Sequence, residues 1–399
     1  MKLTIKPSFD NISEWALNGV TYDFMIKSLE IGIHPIHWVR PEIITELLDN
    51  YTLRFAFSKD GVYYKPNYGN VSYKAFEKYP FLFFCRGDVL KVGSDFIVAK
   101  VFNKFWNVNE TSITLEANLP WYGGFACTEK MDGMLIVPYR DDKGEWHLTS
   151  RGSFDFEVIP VAESYFNNKY KYFCDEYHNR GLHPVFEIIS EESFIKVQYS
   201  KEQYGLYFLG CVGINGEEPN YIDEIMEDAE SFGLKVPKIH IFDTKEDAMV
   251  YINHFDKYYD FEGFAVRFNM TGDIVKIKAD KYMEVNLQNI NNIESLYDWW
   301  VTGQIDDVVA GLPPIKQEGV LKMIELFKSY NDSLLVLYRS HEHMIEDMVL
   351  LKDVVEYFQR YVDKKYFSFF INMYKNNAMA VKKTIRTITI DALKDQKNS

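Results

Sequence analysis

The 399-residue sequence predicts an antiparallel α+β domain over residues 1–285, followed by an all-α domain over residues 286–399. Two patterns carry that expectation. Before about residue 285, short aromatic and β-branched runs alternate with turn residues, as in hairpin-linked strands. After it, apolar residues recur at three- and four-residue spacing, as on one face of a helix. With 47% hydrophobic and 16% aromatic residues, the chain can bury a sizeable core, which excludes a disordered protein.

Taken in order, the first fifty or so residues fit no pattern that places them. "YPFLFFCRGDVLKVGSDFIVAKVF" reads as two strands around Gly93-Ser94-Asp95. "MLIVPYRDDKGEWHLTSRG" reads as a second pair around Asp141-Asp142-Lys143-Gly144. Pro138 lacks an N–H, so that strand should be an edge or carry a bulge there. Residues 161–179 and the acid-rich 221–232 read as helices. "FEGFAVRFNMTGDIVKIKAD" is a third hairpin, turning near Thr271-Gly272-Asp273. The helical region opens with "NIESLYDWWVTGQIDDVVAG", is punctuated by Pro313-Pro314, and continues through "LKMIELFKSYNDSLLVLYRSHEHMIEDMVLLKDVVEYFQRYV". Trp299-Trp300 reads as packing at the domain interface.

The net charge of −14 argues, as an average, against a nucleic-acid partner. The charge is uneven, however. Residues 215–262 hold 13 Asp and Glu against four Lys, and residues 291–363 hold 13 against six basic residues. Residues 364–399 reverse the sign, with eight basic and two acidic residues. That tail is either a frayed end or an approach to a polyanion. Cys85, Cys127, Cys174 and Cys211 lie too far apart for a CxxC metal or redox pair and fit a reducing cytoplasm. The absence of a long apolar run predicts no membrane span, and the N-terminal residues lack a signal-peptide core. No GxxxxGK[ST] is present, which excludes a P-loop kinase. His341 and His343 cannot share a helix face, so they make a poor metal pair.

The chemistry lies in a set of charged residues on or beside strands. "EKMDGML" holds Lys130-Met131-Asp132-Gly133. "PVFEIIS" sets Glu187 in an apolar strand, on the face opposite Phe186 and Ile188. A carboxylate there is costly unless it is paired or the face is open to solvent. "FEGFAVRF" repeats the pattern with Glu262. In "IVKIKAD" Lys276 and Lys278 share a strand face, either solvated or turned on an anion. Arg151 follows a strand in "LTSRGSF", Arg86 precedes a Gly in "FCRGDVL", and Lys104 sits between aromatics in "FNKFWNVNE". Converging strands would make of these a cationic phosphate pocket with a few acids, suited to a nucleoside triphosphate and Mg²⁺.

The order KxDG, FE-apolar, EG-apolar, KxK resembles the covalent nucleotidyltransferase superfamily of polynucleotide ligases and mRNA capping enzymes. "CRGDVL", "NKFWNVNE", "SRGS", "FEII", "EGFAVRF" and "VKIKADKY" resemble more closely the bacteriophage RNA ligase 1 family, the T-even phage tRNA-repair ligases. The resemblance spans roughly residues 65–310. Two positions depart from it: Met134 stands where the family has Ser, and Arg151 where it has Lys. Arg keeps the charge and adds a planar fork.

The resemblance implies an antiparallel-sheet nucleotidyltransferase domain and a helical specificity domain for RNA. It implies an ATP-dependent RNA ligase working through a lysyl-AMP on Lys130, with Asp132 and Gly133 in the same motif. Arg86, Lys104, Lys276 and Lys278 would contact ATP phosphates, with Arg151 a further nucleotide-binding cation. Glu187 would contact the ribose, and Tyr68 and Tyr282 would lie at or near the nucleotide. Glu262 would serve metal or nucleotide, and Asp306, rather than Asp307, would be a Mg²⁺ site, with Mn²⁺ an alternative ion. Lys276 and Lys278 would lower the Lys130 pKa by charge repulsion. The implied partners are RNA ends, nicked tRNA foremost, and a polynucleotide kinase/phosphatase acting in series. The protein would be a monomer in the cytoplasm, that of the host if phage-encoded. A DNA ligase, a capping enzyme and a non-catalytic RNA-end-binding protein are the alternatives.

Overall fold

In the computed structural model, the strand-forming runs pair into three four-stranded antiparallel sheets. The strands are β1 (Leu53–Phe57), β2 (Tyr63–Tyr68), β3 (Val89–Lys91), β4 (Ile97–Ala99), β5 (Phe125–Glu129), β6 (Met134–Arg140), β7 (Trp146–Ser150), β8 (His183–Ile189), β9 (Gly205–Val212), β10 (Ile239–Phe242), β11 (Gly263–Phe268) and β12 (Ile274–Lys278). The structure describes residues 22–49, 52–69, 73–193, 197–219, 222–258, 261–279, 292–302, 305–310, 312, 314–346, 348, 350–375 and 378–398.

The first sheet, β1-β2-β3-β4, encloses a core with helices α1 (Tyr22–Glu30), α2 (Pro41–Asp49) and α3 (Tyr73–Lys78). Leu29, Leu47, Phe76, Phe81, Phe84 and Trp106 are buried in it. This gives residues 22–49 a place that their sequence pattern did not. The run "PFLFF" is a 3₁₀ helix, Pro80–Phe84, not a strand. Its five side chains are all buried, so no periodicity marks the element. Pro80 loses no N–H bond at a helix start and has its φ preset for it.

The sheet β7-β6-β8-β9 is covered on one face by α4 (Val158–Tyr165), α5 (Asn168–Asn179) and α6 (Ile222–Ser231). Phe173, Tyr177, Phe186, Ile188, Phe208 and Ile225 meet in this core. The single helix expected over 161–179 is two helices. Asn167 ends the first arrangement and caps α5, its side chain accepting from the Lys169 N–H at 3.1 Å. Pro138 pairs with Leu148 on β7, while the pairing of β6 with β8 stops at Ile136. The strand is interior, yet locally an edge at the proline, as its missing donor requires.

The sheet β10-β5-β11-β12 packs against α7 (Lys245–Tyr258) through Phe125, Ile252, Phe264, Val266, Phe268 and Val275. A buried ion pair ties this sheet to its neighbour. The Arg267 guanidinium of β11 forks onto Glu218 at 2.6 and 2.9 Å, and also donates to Thr128 Oγ1 and to the Leu209 carbonyl of β9. All four cysteines are buried and free.

The chain divides into two compact units, Met1–Glu284 and Val285–Ser399. The second contains α8 (Ile293–Thr302), α9 (Ile305–Ala310), α10 (Pro314–Ile345), α11 (Leu351–Tyr361), α12 (Phe367–Tyr374) and α13 (Ala378–Asn398), with no strand among the described residues. Trp299 and Trp300 belong to the core of this unit, Trp300 packing on Tyr297 and Phe327. The basic tail is not a frayed end. It forms α12 and α13, burying Phe369, Phe370, Ile390 and Leu393, and it pairs Arg386 with Asp298 and Lys394 with Glu294 on α8. Among the described residues no helix is long and apolar enough to cross a membrane.

Candidate active site

The segment Lys130-Met131-Asp132-Gly133 joins β5 of one sheet to β6 of the next. Its backbone is pinned at each end. The Lys130 N–H donates to the Gly263 carbonyl at 2.8 Å. The Asp132 N–H donates to Tyr199 Oη at 2.8 Å, and Asp132 Oδ2 accepts from the Val197 N–H at 2.8 Å. A Cβ on Gly133 would lie 2.3 Å from the Ile188 carbonyl, so only glycine lets the chain pass β8 this closely. Met134, at the departure from the family pattern, opens β6 opposite Ile188 and packs against the neighbouring apolar core.

Glu262 immediately precedes β11, and Lys278 ends β12 in register with Gly263. The Glu262 carboxylate, 5% exposed, lies between two ammonium groups. Oε2 is 2.5 Å from Lys130 Nζ and Oε1 is 3.4 Å from Lys278 Nζ. The Lys130 side chain keeps 26% exposure, enough for a ligand to reach it. Glu262, expected to serve metal or nucleotide, thus also sits at contact distance from Lys130. The nucleophile candidate therefore rests in an ion pair with Glu262.

Glu187 lies on the interior strand β8, between β6 and β9, and is buried, which removes the reading of a face open to solvent. Val185, two residues earlier on the same face, packs with Phe102, Val212 and Ile274 of β12. Glu187 therefore faces the Lys130 side of the fold. Burial raises its carboxyl to about 8, opposed by Lys130 and reinforced by Glu262 and Asp132. It is mostly neutral at pH 7.

Two aromatic rings gather the remaining cations. Arg86 Cζ and Lys276 Nζ lie 5.1 and 5.5 Å from the centre of the Phe105 ring. Lys104 Nζ and Arg151 Cζ lie 5.7 and 5.9 Å from the centre of Tyr68. The segment around Phe105 is fastened to β12, because the Lys276 N–H donates to the Trp106 carbonyl and the Val108 N–H to the Lys276 carbonyl, each at 2.9 Å. Lys276 is only 5% exposed, so the solvated outer-face reading of the KxK pair does not hold. The buried Nε of Arg86 has no hydrogen-bond partner among the described residues.

Of the residues expected at the site, Tyr68, Arg86, Lys104, Lys130, Asp132, Gly133, Arg151, Glu187, Glu262, Lys276 and Lys278 all lie in this one unit. Tyr282 lies outside the described residues. Asp306 and Asp307 are on α9 of the second unit, with side chains outside the described set. No group of three or more His, Cys, Asp or Glu side chains among the described residues could hold a metal ion by itself. Tyr199 went unread in the sequence, although its hydroxyl fixes the Asp132 backbone. Only its place in a polar-flanked "KVQYSK" run could have drawn notice.

The family model described as RNA ligase matches residues 84–283, a span that includes Arg86, Lys104, Lys130, Arg151, Glu187, Glu262, Lys276 and Lys278. A protein of Autographa californica nuclear polyhedrosis virus, described as a bifunctional polynucleotide kinase/RNA ligase, is 26% identical over 270 residues, covering 62% of this chain and 38% of the viral protein. A protein of Thermovibrio ammonificans described as an RNA ligase is 25% identical over 262 residues, covering 62% of this chain and 66% of that one. The chain thus spans less than two thirds of either relative. An archaeal ATP-dependent RNA ligase of known structure aligns at 11% identity with a TM-score of 0.48, over 72% of this chain and 76% of that chain. On the family match over half of its length, the chain belongs to the RNA ligase family.

Proposed function

We propose that the protein is an ATP-dependent RNA ligase that joins a 5′-phosphate end to a 3′-OH end. The observation that carries the reading is the Glu262 carboxylate held between Lys130 and Lys278, beside four further cations on two aromatic rings. The unpartnered Arg86 Nε supports an anionic ligand there.

Lys130 passes a proton to Glu262, which is within hydrogen-bond reach. The amine then attacks the α-phosphorus of ATP. An N–P bond forms, the P–O bond to the β-phosphate breaks, and pyrophosphate leaves. Lys278, Lys276, Arg86, Lys104 and Arg151 offset the charge on the phosphates. Glu187, neutral below about pH 8, can donate a hydrogen bond to a nucleotide oxygen. The AMP passes from Lys130 to the 5′-phosphate of RNA, and the 3′-OH displaces it to seal the strand. A Mg²⁺ ion, held mostly by phosphate and water, would find its protein carboxylate in Glu262 while that group is ionised, and Mn²⁺ would suit the same oxygen set. Such an ion neutralises charge on the transferring phosphoryl group.

Nicked tRNA is the substrate that the sequence resemblance favours. The name of the viral relative, which joins kinase and ligase, supports a kinase that supplies the 5′-phosphate. Offering 5′-phosphorylated RNA and DNA with ATP or GTP tests the reading. Sealing of RNA with ATP is expected. Preference for DNA would point to a DNA ligase, and use of GTP to a capping enzyme. Binding without any joining would leave an RNA-end-binding protein.

A further inference from the structure

One buried lysine takes no part in the chemistry above. Lys65, in β2, has no exposed surface. Among the described residues it has no carboxylate within ion-pair distance. Asp88, the acid whose charge acts on it, is taken by Lys100 at 2.5 Å and by the Val101 N–H at 3.1 Å. Burying an ammonium group without its own counter-ion is costly, so its position needs a reason.

The Lys65 hydrogen bonds supply one. Nζ donates to the Ser150 carbonyl, and to Thr149 Oγ1 at 3.3 Å. These are the last two residues of β7, directly before Arg151. The turn they enter is closed on itself: the Ser150 N–H and Oγ both donate to the Ser153 carbonyl at 3.0 Å, and Thr149 Oγ1 donates to it at 2.7 Å. The next peptide is confined from the other side. A Cβ on Gly87 would lie 2.3 Å from the Arg151 carbonyl oxygen. Arg151 is thus held at its backbone on two sides, while its guanidinium reaches Tyr68, three residues after Lys65 on the same strand. Burial lowers the Lys65 ammonium to about 7, with Asp88 opposing and Arg151 reinforcing the shift. Charged or neutral, the group can still donate to the Ser150 carbonyl.

We propose that Lys65 is a positioning residue, fixing the Ser150 carbonyl and through it the place where the Arg151 guanidinium meets the ATP phosphates. This rests on the ligase reading above. Its own content is that Lys65 acts on ATP only through Arg151.

The test is a double-mutant cycle on full-length protein, read as the rate of lysyl-adenylate formation against ATP concentration. Lys65→Met should raise the KM for ATP about tenfold and change the limiting rate less than about twofold, as lost alignment of one charged contact would. In an Arg151→Ala background the same substitution should change KM less than about twofold. An equal rise in both backgrounds, or no rise in either, overturns the proposal. If circular dichroism shows Lys65→Met unfolded, Lys65→Gln, which keeps a polar but shorter donor at the site, gives the same test. A KM rise of about threefold is expected, absent with Arg151→Ala, and its persistence there counts against the proposal. A wild-type protein that forms no adenylate overturns the ligase reading and this proposal together. An active wild type with additive variants overturns this proposal alone.

Discussion

Replacing Glu187 by Gln should make the protein more stable at high pH and leave it little changed at low pH. Burial, with Glu262 and Asp132 nearby, raises the carboxyl from 4.5 to about 8 against the pull of Lys130. Between those values the folded protein holds a proton that the unfolded chain has released. Stability therefore falls as pH rises through that window, and the loss is complete above the folded-state value. At about 1.4 kcal/mol per pH unit, the ceiling on the loss is about 5 kcal/mol. Glutamine keeps the shape and hydrogen-bonding capacity but does not titrate. At about 2 °C per kcal/mol for a unit of this size, the Tm advantage of Glu187→Gln should grow by roughly 5–10 °C between about pH 5 and pH 9. Thermal melts of both proteins across that range measure it, and the comparison cancels groups common to both. Parallel Tm curves would refute the reasoning, because they would mean that Glu187 ionises in the fold as it does in water.

Arg267→Ala should cost about 3–5 kcal/mol in a urea melt, because it leaves Glu218 buried without its fork. A loss below about 1 kcal/mol would mean that the clasp between the two sheets is not what holds them. Removing residues 364–399 is a poor test of RNA contact, since it takes Phe369, Phe370, Ile390 and Leu393 out of buried cores. Lys382→Glu with Lys383→Glu is better, both side chains being exposed on α13. End-joining assays should show weakened RNA sealing with unchanged lysyl-adenylate formation, and equal loss of both steps would point to misfolding.

The hairpins around Asp141–Gly144 and Thr271–Asp273 were legible because strand alternation and turn residues are local signals. Glu187, Glu262, Lys276 and Lys278 were legible because a charge in an apolar strand needs a partner. Their pairings were not. Nothing local in "EKMDG" or "FEGF" says that Glu262, 132 residues downstream, closes on Lys130. Lys65 and Tyr199 were missed for a related reason. Each acts through a backbone group far along the chain, and such contacts leave no spacing pattern. The 3₁₀ segment Pro80–Phe84 was misread because a fully buried run shows no period. The tail misled in another way: its charge suggested a free end, while its apolar residues were the stronger signal, fixing it in the core of the helical unit.

Lys130 as the nucleophile is the centre of the proposed chemistry. Incubating the protein with ATP and Mg²⁺, then mapping its peptides by mass spectrometry after denaturation, tests that directly. The expected result is one AMP on the peptide containing Lys130, absent from Lys130→Ala. No adduct, or an adduct on another residue that persists in Lys130→Ala, would contradict it.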